Sequence, residues 1–128
     1  MLIEDCYYCI VGTNDGILVC LDVNGDVVAA KYFGSGNAIR TLEVHLSLVF
    51  LSLDDMSLKG LRLDTIAGKF IEEINICNAH GTSCVSALRI VPLIQVVSSG
   101  KSPLGIPEAA VLYTGCDSGS IRMWAYEK

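Results

Sequence analysis

Six cysteines and two histidines are the residues whose chemistry most needs placing. The thiols are Cys6, Cys9, Cys20, Cys77, Cys84 and Cys116; the imidazoles are His45 and His80. Cys6-Tyr7-Tyr8-Cys9 has the spacing of half a tetrahedral zinc site. No second pair follows at a ribbon-like distance, so the pattern predicts no metal. An even number of cysteines also fits a disulfide framework in a secreted chain. Four of the six, however, sit inside apolar runs, where free cysteine behaves as a small hydrophobe. Glu4 and Asp5 stand where a signal peptide would carry Lys or Arg. The expectation is therefore reduced, structural thiols in a cytoplasmic or nuclear chain.

Other reactive residue types give no stronger pattern. General acid–base work by Asp54-Asp55 or Glu72-Glu73 would need one carboxyl with a raised pKa in a pocket; a turn and a strand face predict solvated pairs instead. Ser83-Cys84 and Cys116 have no His/Asp arrangement nearby in sequence for nucleophilic catalysis. Ser99-Gly100-Lys101-Ser102 contains Gly-Lys-Ser without the earlier glycine that a phosphate-cradling loop requires. Ser102-Pro103 is a phosphorylation-type dipeptide. Asp15-Gly16 and Asn24-Gly25 are turn residues, and the Asp15 and Asp117 side chains are expected to bond nearby backbone N–H groups. No catalytic residue, metal or cofactor is expected, and the chain reads as a non-enzyme.

What must position these residues is unusually apolar. The 128 residues are 52% hydrophobic and 18% charged, with mean hydropathy +0.50. Disorder needs the opposite balance. The densest apolar stretch, residues 85–97, is broken by Arg89, Pro92 and Gln95, short of the roughly 18 to 20 apolar residues that span a bilayer. The net charge is −5, and no Lys/Arg cluster occurs. Binding through phosphate neutralisation is disfavoured, so no nucleic-acid or membrane partner is expected.

The chain reads as about ten short strands between turn signals, with no sustained 3.6-residue period. Asn24-Gly25 is a two-residue hairpin signal. Leu21-Asp22 and Leu63-Asp64 each end a strand before a turn, and the two Asp residues lie 42 apart. From Leu63 to the closing Trp124 the distance is 61 residues, 19 too many. Residues 92–110 are a 19-residue stretch holding all three prolines, and they read as an insertion in the last repeat.

This grammar resembles the WD-repeat β-propeller family, whose blades are four-stranded repeats of about 40 to 45 residues. Ala79-His80 is similar to the family's Gly-His. Residues 113–124, Tyr-Thr-Gly-Cys-Asp-Ser-Gly-Ser-Ile-Arg-Met-Trp, resemble its second strand, turn and third strand. The resemblance implies a structural tetrad of His80, Thr114, Asp117 and Trp124, in which His80 bonds a hydroxyl rather than acting as a base. Asp117 stands one position early, and Ala125 replaces the usual Asp after Trp124. Residues 11–26 also look like quinoprotein-type propellers, with Tyr32-Phe33 where those place a Trp.

The resemblance implies an all-β, incomplete propeller of four-stranded antiparallel blades. Residues 1–35 would be a partial first blade, 36–77 a second, and 78–128 a partial third carrying the loop at 92–110. Without the insertion, the chain holds about 2.6 repeats, and closure needs at least about four blades. The expected function is a non-catalytic scaffold for protein–protein assembly; the alternative is a quinoprotein-like segment attached to an enzyme. The partner is expected to be another protein, or a further copy, that completes the propeller. Leu104 and Ile106 of the insertion are the candidate partner-binding residues, because function concentrates on such loops.

Overall fold

The computed structural model describes residues 1–3, 6–92 and 110–126, which form twelve strands and no helix. Two more strands form than the sequence suggests. The apolar run that begins at Cys6 is divided, because Tyr8 closes a small ring with the N-terminus. The Met1 amine donates to Tyr8 O at 2.9 Å, and Tyr8 N donates to Met1 O at 2.7 Å. Strands β1 (Leu2–Ile3) and β2 (Cys6–Tyr7) pair inside that ring, and β3 (Cys9–Gly12) starts afresh.

Three larger antiparallel sheets follow. β3 pairs with β4 (Ile17–Leu21), which pairs with β5 (Val27–Tyr32). β6 (Ile39–His45), β7 (Leu48–Leu53), β8 (Leu58–Asp64) and β9 (Lys69–Ile76) form the central sheet, in that order. β10 (Val85–Pro92), β11 (Ala110–Cys116) and β12 (Ile121–Tyr126) form the third.

The central sheet is covered on both faces, and this explains the high apolar content. All six residues of β7 are buried. A strand buried on both faces reads as a continuous apolar run rather than an alternation. Val49, Leu51 and Leu53 join a core with Leu18, Cys20 and Ala29 of the first sheet. Leu48 and Phe50 face the other way, into a core with Leu88, Ile90 and Leu112 of the third. The outer strand β9 divides its side chains between the two cores. Gly60 pairs with Ile74, but Leu61 pairs with Glu72, so Glu73 is an extra residue. The bulge switches the face: Phe70 packs into the first core, Ile74 and Ile76 against the second.

One turn design recurs. Thr13 N donates to Ile17 O and Gly16 N to Thr13 O; the same pair of bonds links Leu53, Met56 and Ser57, and again Cys116, Gly119 and Ser120. The fourth position has positive φ each time: Gly16 at 82°, Met56 at 69° and Gly119 at 89°. A Cβ on Gly16 would lie 2.7 Å from Gly34 O and 2.8 Å from Asn37 O, so this turn also needs glycine for space.

The Asn24-Gly25 turn differs from the expected two-residue hairpin. Gly25 has φ 83°, whereas Asn24 is not left-handed, so the paired positive angles of that hairpin are absent. Asp22 supplies the reason. Its Oδ1 accepts from Asn24 N at 2.9 Å and Asp26 N at 3.0 Å, which organises a longer loop. Asp64 caps its own turn through a different set, Ile66 N and Ala67 N, at 3.0 and 2.9 Å. Each Leu-Asp therefore marks an Asp turn cap.

Candidate functional site

The polar side chains gather at the ends of the sheets where these turns lie. On the third sheet, β11 holds Thr114 directly opposite Arg122 of β12, two residues from Trp124. Thr114 is 1% exposed and His80 5%. Trp124 Nε1 donates to Thr114 Oγ1 at 2.9 Å, and His80 Nε2 lies 2.6 Å from the same oxygen. His80 Nδ1 lies 3.0 Å from Ser120 Oγ. The structure thus brings His80, Thr114 and Trp124 together. The fourth member is Ser120, not Asp117. Asp117 is the first residue after Cys116 in the turn, and its carboxylate reaches 3.5 Å to Arg40 of the central sheet instead. Arg40 also contacts Asp54 at 3.2 Å, so one guanidinium bridges equivalent turn positions of two sheets.

Ser120 leads on to a thiol. Cys116 Sγ lies 2.9 Å from Ser120 Oγ and 3.0 Å from Ser118 Oγ. The Ser118 and Ser120 hydroxyls, followed by their backbone N–H groups, outweigh burial and bring the Cys116 pKa down to about 6. Hydroxyl donors favour the charged sulfur, so the chain Cys116–Ser120–His80–Thr114–Trp124 ends on a thiol whose ionised form is stabilised. Cys20, fully buried between the first two sheets, behaves oppositely: burial pushes its thiol up. All six cysteines are free.

The central sheet has a matching cluster that sequence reasoning missed. Asn37 Nδ2 donates to Asp55 Oδ2 at 3.1 Å, and Asp55 N donates back to Asn37 Oδ1 at 3.0 Å. Asp55 Oδ1 accepts from both the backbone N–H and the hydroxyl of Ser57. Burial pushes the Asp55 carboxyl up, but the Ser57 and Asn37 hydrogen bonds prevail and hold it below its ordinary value. The sequence carried no local signal for it: the left-handed residue after Asp55 is Met56, not the glycine that follows Asp15.

The remaining candidates are dispersed. At the Asn14-Asp15-Gly16 turn the side-chain cap is Thr13, whose Oγ1 accepts from Ile17 N at 3.1 Å. Glu72 and Glu73 are not simply solvated; they pair with Lys59 at 3.0 Å and Arg62 at 2.6 Å. His45 is buried, and its Nε2 has no hydrogen-bond partner among the described residues. No group of three His, Cys, Asp or Glu side chains among the described residues is placed to hold a metal ion. Leu104 and Ile106 lie outside the described residues.

An apolar cavity of about 110 Å³ opens between the central and third sheets. Phe50, Leu58, Ile74 and Ile76 line one side, and Leu112 and Trp124 the other. The opposite face of the third sheet is bare. Val91, Tyr113, Ile121 and Met123 are 44%, 42%, 77% and 67% exposed.

No family model and no curated protein matches this chain. Solved structures do. The chain is similar to the Dos1 propeller, with TM-score 0.68 and 14% identity over 91% of this chain and 30% of that one. It is also similar to the β-propeller domain of Cps50 (Swd1) from Myceliophteria thermophila, with TM-score 0.58 and 14% identity over 96% of this chain and 41% of that one. The fold is an incomplete β-propeller. Its three stacked sheets are blades, one complete with four strands and two with three among the described residues. The chain spans well under half the length of either neighbour. Among the described residues, the blades do not close a ring, and the outer blade faces and strand edges have no neighbouring strand.

Proposed function

We propose that this chain is a non-catalytic propeller scaffold of the WD-repeat type, which works by assembling with other protein surfaces. The observation that carries this reading is the bare face of the third blade. Val91, Tyr113, Ile121 and Met123 occupy the side that in the central blade is packed against a neighbour. Contiguous exposed apolar surface of this kind marks an interaction site. The His80–Thr114–Trp124 chain is, on this reading, a brace: His80 and Thr114 are buried, Trp124 is half-buried, and both His80 Nε2 and Trp124 Nε1 are held on Thr114 Oγ1. The six free thiols accord with a reducing compartment, the cytoplasm or nucleus.

Light scattering at micromolar concentration tests the proposal. Association above the 13.7 kDa monomer is expected, and Ile121→Lys with Met123→Lys should return the monomer. A monomer at every concentration, melting sharply and binding no apolar dye, would refute it.

A further inference from the structure

The buried polar chain of the third blade has a direction, and its hydrogen-bond partners fix that direction. Trp124 Nε1 can only donate, and it donates to Thr114 Oγ1 at 2.9 Å. Thr114 is 1% exposed, and among the described residues its oxygen meets one other group, His80 Nε2 at 2.6 Å. The Thr114 proton goes to that nitrogen, because a buried hydroxyl without an acceptor carries a desolvation penalty. Nε2 is then the bare nitrogen of His80, and Nδ1 holds the ring proton. Nδ1 faces Ser120 Oγ at 3.0 Å, so Ser120 accepts there and keeps its own proton for Cys116 Sγ at 2.9 Å. Every proton from Trp124 to Ser120 points the same way, towards the sulfur.

We propose that this chain is a thiol-operated switch: charge on Cys116 holds the donors in line, fixes His80 as the Nδ1–H tautomer and tightens the anchor of Trp124 on Thr114. Linked hydrogen bonds polarise one another, so an anion at the accepting end strengthens each bond behind it. Ser118 Oγ, 3.0 Å from the sulfur, donates to the thiolate alongside Ser120. A thiol is a weaker acceptor and must turn its own proton towards one of the two hydroxyls, which loosens the line at its end. The other charged and titratable groups around the sulfur are held elsewhere. Arg122 Nη1 donates to Ala79 O at 2.7 Å. Arg40 reaches Asp54 and Asp117 at 3.2 and 3.5 Å, and Cys84 Sγ donates to Asp54 O at 3.5 Å. Cys116 therefore drives the switch through Ser120, and His80 and Thr114 are positioning residues within it. The switch does not use the bare face, so it stands apart from the assembly reading.

Nuclear magnetic resonance on the full chain reads both ends of the switch. At about pH 8, where Cys116 is ionised, the ring-nitrogen signals of His80 should show the proton on Nδ1. As the pH falls through the Cys116 midpoint of about 6, the indole N–H of Trp124, the chain's one tryptophan, should move upfield with the same midpoint as Cys116 alkylation. Cys116→Ser, neutral throughout that range, should abolish the movement. Ser120→Ala keeps a thiol that titrates and, because Ser120 is exposed, a folded blade; there the indole should no longer follow the thiol. A proton on Nε2 in the wild-type chain would overturn the proposal, whatever the variants do. An indole that ignores the Cys116 midpoint would overturn it as well. Movement that persists in Cys116→Ser would belong to another group, and movement that persists in Ser120→Ala would be a through-space field; either result overturns the relay.

Discussion

Replacing Thr114 with valine isolates the energetics of the buried polar chain, because the two side chains share a shape and differ in the hydroxyl. Thr114 Oγ1 is the shared partner of Trp124 Nε1 at 2.9 Å and His80 Nε2 at 2.6 Å. Its loss strands both groups. Each buried group left unsatisfied costs about 1–3 kcal/mol. His80 is 5% exposed and bears the full penalty, whereas half-buried Trp124 recovers part of it from water. The expected loss is about 2–4 kcal/mol. Ser120→Ala is the control. Ser120 is exposed, so water replaces its hydroxyl beside His80 Nδ1, and the loss should stay below about 1 kcal/mol. Urea unfolding at fixed protein concentration, followed by Trp124 fluorescence, measures both. A double-mutant cycle with His80→Leu should show the Thr114 effect largely vanish once its partner is gone. A Thr114→Val loss under about 0.5 kcal/mol, or a larger loss from Ser120→Ala, would refute the assignment of this chain as a brace.

The thiols and the turns give further tests. Cys116 alkylation, mapped by mass spectrometry, should halve in rate as the pH falls to about 6, and Ser118→Ala or Ser120→Ala should move that midpoint upward; a midpoint near the ordinary 9.0 would contradict the hydroxyl contacts. Because its folded pKa is lowered, the ionised Cys116 contributes stability that is complete above 9.0, shrinks as the pH falls and is gone below about 6; Cys116→Ala should abolish that part of the pH dependence. Gly25→Ala meets no atom within 4 Å and should cost only the left-handed backbone penalty, about 1–2 kcal/mol. Gly16→Ala adds a clash with two carbonyl oxygens and should cost clearly more in chemical denaturation; equal costs would show that the turn yields.

Much of this architecture was legible because it is local. The continuous apolar run of β7 announced burial on both faces, and the Leu-Asp pairs 42 residues apart each place an Asp that accepts from the second following backbone N–H, in turns of different length. The His80, Thr114 and Trp124 positions came from resemblance; no local rule joins residues 34 and 10 apart. What escaped was set by single-residue offsets and by stacking. Ser120 and Asp117 lie in the same turn, and only its twist decides which faces His80. Asn37 and Asp55 meet across 18 residues. Arg40 finds Asp117 because two sheets lie side by side, a relation that strand periodicity does not encode. The two extra strands arise from Met1 and Tyr8 closing a ring, a contact invisible in any hydrophobic pattern.

The extra residue in β9 has a consequence for how the chain comes apart. By sending Phe70 one way and Ile74 and Ile76 the other, the bulge makes one strand a shared rib of both cores. In a stacked array, stability is a sum of units and of the interfaces between neighbours. Here the middle unit contributes to both interfaces through the same backbone, so neither flank can melt without loosening the strand that holds the other. The chain should lose its structure in one cooperative step, and deleting Glu73 should split that step in two by assigning β9 to a single side.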